Sequence, residues 1–205
     1  GDIIGARAAY GSGGGDWFVA PSLGQRFADA AFDLRGQAIG RGASQVLLAD
    51  VTGDGRADAV AFYAASGEWW VAPATASGGF AVATRWRSGH GAGSTSQLLA
   101  DVTGDGRADA IAVFGDSGAW WVAPSTGGGF GPYARWTSGH GAGASAHLAA
   151  DVSGDGRADA VAVFGDSGTW WVATSTGSGF APYRAFRSGH GAGARAFLLG
   201  DVNGD

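Results

Sequence analysis

Short apolar runs broken by polar turns follow one another along the whole chain. In the stretch 147–188 four such runs predict strands: HLAADV (147–152), ADAVAVF (158–164), TWWVAT (169–174) and FAPYRAFRS (180–188). Glycine-rich segments separate them, such as GDSG at 165–168 and STGSG at 175–179, and such segments mark turns. Along the third run of the first complete copy, Trp69, Val71 and Pro73 share one face and Glu68, Trp70 and Ala72 the other.

The same pattern recurs every fifty residues or so. The leading aspartate of DVTGDGRAD falls at Asp50, Asp101 and Asp151 and again at Asp201, with steps of 51, 50 and 50. The pairs Trp69-Trp70, Trp120-Trp121 and Trp170-Trp171 keep this step, as do Phe80, Phe130 and Phe180 and the SGHGAG strings from Ser88, Ser138 and Ser188. A fainter copy opens the chain, where WFVAPSLGQRF at 17–27 matches WWVAPSTGGGF at 120–130. The expected organisation is one repeat domain over 1–205. It has complete units at 50–100, 101–150 and 151–200, and a divergent unit at 1–49 that closes with 201–205. Four strands in about fifty residues form a propeller blade. The expected fold is therefore all-β: a β-propeller of four-stranded blades, about four in number, with a shared closing blade.

Composition narrows the function. Glycine takes 40 of 205 positions, without the three-residue period of collagen, and hydrophobic residues make up 45%, too many for a disordered chain. There is no cysteine, hence no disulfide framework and no thiolate metal site. The net charge of −5 gives no reason to expect nucleic acid, and no apolar run approaches the ~20 residues of a membrane span. No signal-like segment opens the chain, which fits a cytoplasmic or an already processed protein.

The acids are concentrated in the repeated loop. Nine of 18 lie in its three complete copies: Asp50, Asp54 and Asp58; Asp101, Asp105 and Asp109; Asp151, Asp155 and Asp159. Position 3 always carries a side-chain oxygen, from Thr52, Thr103, Ser153 or Asn203, and position 7 offers the carbonyl of Arg56, Arg107 or Arg157. Hard oxygens at positions 1, 3, 5, 7 and 9 suit Ca2+ in a flexible shell, and suit octahedral Mg2+ less well. Asp201, Asn203, Asp205 and Asp2 would complete a fourth site. An EF-hand is excluded, because position 12 is Ala61, Ala112 or Ala162 rather than an acid. The plainer reading is that these aspartates cap turns.

These loops resemble the FG-GAP family of integrin-type propeller repeats, most closely over 50–58, 101–109 and 151–159. The Phe-Gly element stands at Phe114-Gly115 and Phe164-Gly165 but is replaced by Phe62-Tyr63-Ala64 in the first complete unit. The resemblance implies calcium in the loop between a blade's first two strands and a secreted, extracellular protein. It also implies kinship with propeller lectins and with accessory regions of secreted enzymes.

Two repeated positions are candidates for a ligand. His90, His140 and His190 sit in one register, with Trp86, Trp136 and Phe186 four residues earlier. An aromatic ring and an imidazole in a loop of small residues suit a sugar, so a carbohydrate is the expected partner. The competing reading is that the histidine bonds a turn and the aromatic anchors the loop. One ring of each Trp pair is a further candidate for stacking on a sugar. Catalysis is not expected. Ser88 and His90 have no acid beside them, and Asp116 and Asp166 are equivalent turn residues rather than an asymmetric pair. The expected function is a multivalent, calcium-stabilised lectin-like module. The alternative is a protein-docking propeller of a larger secreted protein.

Overall fold

The structure is a computed structural model. It describes residues 39–200 in full and the backbone of 5–11, 14–20 and 32–33. Residues 1–92 and 93–205 form two compact units. The first holds a three-stranded sheet, β1 (Gly5–Gly11), β2 (Gly14–Ala20) and β3 (Phe32–Asp33). It also holds a four-stranded one, β4 (Gln45–Ala49), β5 (Asp58–Tyr63), β6 (Glu68–Ala72) and β7 (Thr84–Arg87). The second unit holds two more four-stranded sheets. One is β8 (Ser96–Ala100), β9 (Asp109–Phe114), β10 (Ala119–Ala123) and β11 (Ala134–Thr137). The other is β12 (Ala146–Ala150), β13 (Asp159–Phe164), β14 (Thr169–Ala173) and β15 (Arg184–Arg187). Each is an antiparallel meander with its strands in chain order, as a blade requires. Among the described residues there is no helix, and so none long and apolar enough to cross a membrane. The closing strands expected from 1–4 and 201–205 lie outside the described residues.

The three blades follow the strands read from the sequence, with one difference. The fourth strand begins at Thr84, Ala134 or Arg184, four residues after the phenylalanine that was expected to open it. That phenylalanine instead closes a turn by an isolated bridge, Ala74 to Phe80, Ser125 to Phe130 and Ser175 to Phe180. In two blades proline follows two residues later, at Pro132 and Pro182, and proline cannot donate to a ladder.

A bulge sits at each Trp pair. Trp69 pairs with Arg87 but Trp70 with Arg85, which leaves Trp86 as the extra residue; Trp136 and Phe186 hold the same place in the later blades. The first Trp of the pair turns inward. Trp69 and Trp120 are fully buried, and their indole Nε1 atoms donate to the carbonyls of His90 at 2.9 Å and His140 at 3.0 Å. Trp170 donates likewise to His190. These bonds draw the SGHGAG segment against the hairpin turn of its own blade. At Gly118 (φ 60°) the backbones are so close that an added Cβ would lie 2.6 Å from the Gly139 carbonyl carbon. Only glycine fits there, which accounts for the repeated turn sequence.

Within the second unit the two blades pack face to face. Val102, Ile111, Trp120 and Val122 meet Ala158, Ala160 and Ala173 of the following blade. Phe180 enters between Trp120 and Trp136, at ring distances of 5.9 and 5.2 Å. Large residues on one face and small ones on the other let the sheets interdigitate.

Candidate functional site

The acidic loop joins the first two strands of each blade, and its three carboxylates have separate tasks. Asp50 accepts from the amides of Gly53 at 2.6 Å, Asp54 at 3.2 Å and Gly55 at 2.7 Å, which folds the loop around it. Asp101 and Asp151 do the same in the later blades, and these amides hold Asp151 below the usual carboxylate range. Asp54, Asp105 and Asp155 each form an ion pair with the arginine two residues on: Arg56, Arg107 and Arg157. Thr52, Thr103 and Ser153 direct their hydroxyls at the leading aspartate.

The third carboxylate lies inside. Asp58, Asp109 and Asp159 are fully buried. Asp109 Oδ2 accepts from Val102 N and Thr103 N, both at 3.1 Å, and Oδ1 from Ser125 N at 2.8 Å. It ties the loop to itself and to the turn after the third strand. Burial pushes the Asp109 carboxyl up to about 6 against the opposing pull of these amides.

The loop also joins blades. Asp101 O accepts from Ala158 N at 2.7 Å and Val102 O from Ser175 Oγ at 2.6 Å. The Arg157 stem lies 2.8 Å from where a Cβ on Gly104 would stand.

The donor chemistry suits calcium. Carboxylate, hydroxyl and carbonyl oxygens surround positions 1 to 7, and an ionised carboxylate has about four acceptor sites, of which Asp109 uses three. As described, those oxygens face amides and guanidinium groups, and among the described residues no three acidic or histidine side chains gather as a metal cluster. The fourth set, Asp201, Asn203, Asp205 and Asp2, lies outside the described residues.

The histidine register leads inward in the first two complete blades, whereas His190 is exposed. His90 and His140 are fully buried. The His140 ring packs beside Trp120 at 5.5 Å and under Tyr183 at 5.1 Å, and Nε2 donates to Ala160 O at 3.0 Å. That bond fixes the neutral tautomer with hydrogen on Nε2, since a carbonyl only accepts. Burial pushes His140 down to about 4. The aligned residue of the divergent unit, Ile39, is also buried, against Ala59, Ala72 and Phe80. The slot is a core position that takes either residue. Trp136 is half-buried against the core that holds Trp120, and Trp86 is half-buried. In the last blade the expected partners Phe186 and His190 line a cavity of about 280 Å³ together with Trp170.

The second Trp of each pair faces outward, and here tyrosines join it that the sequence reading had not singled out. Trp121 meets Tyr133 edge to face at 5.9 Å, and Trp171 meets Tyr183 at 5.9 Å. Tyr133 is 38% exposed and Tyr183 43%. In the first complete blade alanine replaces the tyrosine, and Trp70 instead donates to Glu68, which pairs with Arg85 at 2.8 Å. The guanidinium of Arg85 and the Trp70 indole hold the Glu68 carboxyl below its ordinary range. The signal that identifies the tyrosines is the Pro-Tyr at 132–133 and 182–183, just before the strand paired with the Trp strand.

The pattern of FG-GAP-like repeats matches residues 50–112 and 101–162, together more than half of the chain. The chain belongs to the FG-GAP-like repeat family. No curated protein sequence matches these FG-GAP-like repeats. Among solved structures they resemble a lectin of Agrocybe aegerita described for its specific recognition of non-reducing terminal N-acetylglucosamine. Identity is 25% and the TM-score 0.63, over 89% of this chain and 52% of the lectin. They also share their fold with part of the Photorhabdus luminescens Tc holotoxin pore, at 20% identity and a TM-score of 0.54, over 92% of this chain and 9% of that one. The chain thus spans about half the length of the lectin. An all-β fold of four-stranded propeller blades follows from the sheets and from these likenesses.

Proposed function

We propose that this chain is a secreted, calcium-stabilised propeller module that binds glycans through the outward Trp–Tyr pairs of successive blades. The observation that carries the proposal is the pair Trp171–Tyr183, repeated as Trp121–Tyr133, with partly exposed rings meeting edge to face. Such a corner offers a flat apolar face to the C–H side of a sugar and a phenol hydroxyl to its polar edge. The likeness to a lectin supports it. This reading moves the sugar from the histidines to the tyrosines, because His90 and His140 are sealed in the core. Weak sites repeated from blade to blade would act together on a multivalent glycan.

A glycan panel, beginning with glycans ending in N-acetylglucosamine, tests this. Tyr183→Ala together with Tyr133→Ala is expected to lower binding at least tenfold with little change in melting temperature. Binding equal to wild type would overturn the site. Failure of wild type to bind any glycan would leave the docking alternative as the better reading, which the sealed histidines favour.

Calcium belongs to the same proposal. Asp50, Thr52, Asp54, the Arg56 carbonyl and Asp58, with their equivalents in the next two blades, would hold it. It would supply the positive charge that Arg56 now supplies to Asp54. Saturation to 100 times the dissociation constant adds about 2.7 kcal/mol per site. The melting temperature is therefore expected to rise by several degrees between EGTA and millimolar calcium. An unchanged melt would remove calcium from the reading.

A further inference from the structure

The outward tryptophans differ from blade to blade in the charge beside them. Trp70 and Arg85 are backbone partners across β6 and β7, as Trp121 and Arg135 are across β10 and β11, so each indole shares a sheet face with its guanidinium. In the first complete blade this pair is filled from within. Glu68 Oε1 accepts from Arg85 Nη1 at 2.8 Å, and Oε2 from Trp70 Nε1 at 3.1 Å. One carboxylate thus takes a bond from each donor, and the two together hold it in its ionised form. In the next blade Ala119 stands where Glu68 does and offers no acceptor. Arg135 is exposed, and among the described residues it has no ion pair, nor has Trp121 Nε1 an acceptor.

The other units do not repeat this combination. In the last blade the partner of Trp171 is Ala185, and the Arg184 guanidinium lies over the Phe186 ring at 5.1 Å instead. In the divergent unit the corresponding backbone partners are Phe18 and Asp33. Among the described residues the middle blade alone has both donors, no carboxylate between them and, in Tyr133, a second ring 5.9 Å from the indole.

We infer that Trp121, Tyr133 and Arg135 form a site for an acidic sugar, a hexuronate whose ring lies against the aromatic pair and whose carboxylate takes the place that Glu68 fills in the blade before. The inference rests on the reading of the outward Trp–Tyr pairs as sugar sites and names the ligand class of one of them. A hexuronate carries its carboxylate directly on the pyranose ring, so its apolar face and its charge meet neighbouring groups together. The guanidinium gives that carboxylate a charge-assisted bond and the indole N–H a second one. The Trp171–Tyr183 corner has no such cation and is left to neutral sugars, so successive blades select differently.

Calorimetric titration of the full chain tests this with three sugars: a disaccharide ending in glucuronic acid, the methyl ester of that acid, and the matching disaccharide ending in glucose. The acid is expected to bind about tenfold more tightly than its ester, and Arg135→Ala to bring it down to the level of the ester. Arg135 is exposed, so the variant should melt as wild type does. Arg184→Ala removes the same charge from the opposite face of another blade and is expected to change neither affinity. Equal binding of acid and ester overturns the inference, as does a preference that survives Arg135→Ala or falls equally with Arg184→Ala. In each of these cases the Trp–Tyr pairs remain sites for neutral sugars. Failure of all three sugars to bind also overturns it; the glycan reading then stands if another neutral glycan binds and falls if none does. An N-acetylated glutamate peptide that binds as tightly as the glucuronate would assign the site to an acidic protein partner and overturn the sugar.

Discussion

Asp109→Ala is expected to lower the stability of the second unit by about 3 kcal/mol at neutral pH, and to do so in EGTA as well as in calcium. Three amide donors, on Val102, Thr103 and Ser125, lose their acceptor. Each buried orphan costs about 1–3 kcal/mol, and the sum is reduced because a desolvated carboxylate no longer has to be kept ionised. Burial pushes Asp109 up to about 6. Asp109→Asn should fall between, since its NH2 faces one of the same donors. Asp105→Asn, in contrast, removes an exposed ion pair with Arg107 and should cost under about 1 kcal/mol in EGTA. Chemical denaturation of the three variants with and without calcium separates anchor from ligand. An Asp109→Ala cost that vanishes in EGTA would mean that position 9 serves the metal alone.

The contrast shows what the repeat reveals and what it hides. Strand number, blade order and the turn glycines were legible, because each depends on a local pattern of apolar alternation and chain reversal. The bulge at the Trp pairs was not, since it depends on how the fourth strand re-enters the sheet after the turn that Phe80, Phe130 or Phe180 closes. The loop aspartates look equivalent in the string DVTGDGRAD, yet Asp101 folds the loop, Asp105 meets Arg107 and Asp109 is sealed inside. Spacing alone does not distinguish a carboxylate directed at amides from one directed at a cation. The histidine register was visible, but its direction was not. One clue to its burial lay in the chain: Ile39 occupies the aligned position, and an isoleucine there marks an apolar slot. The tyrosines were passed over because they occur in only two of the three complete units, although that is where they join an exposed indole.

His140→Ile converts that alignment into a pH experiment. At pH 7 the variant loses the bond from Nε2 to Ala160 O and is expected to be less stable by about 1 kcal/mol. The order should reverse in acid. His140 titrates near 6.5 in the unfolded chain and at about 4 in the fold, because burial disfavours its charged form. Between those values the unfolded chain binds the proton and the native one does not, so wild type loses stability as pH falls from about 6.5 to about 4, and no further below that. Each pH unit of this window is worth about 1.4 kcal/mol, so the full swing is about 3 kcal/mol. His147, depressed by its own burial against the opposing effect of its bond to Gly141 O, acts in the same direction. Asp109 acts in the opposite one. Its raised value means that the native state binds the extra proton between 3.8 and about 6, so it gains stability as pH falls. Wild type alone should therefore show a shallow pH dependence, while His140→Ile should become more stable in acid. Taking the difference between the two removes Asp109 and isolates the imidazole. It should run from about +1 kcal/mol in favour of wild type at pH 7 to about 2 kcal/mol in favour of the variant at pH 4. A difference that stays constant with pH would show that His140 can be protonated in the folded protein, and the slot would then be open to solvent and to a sugar.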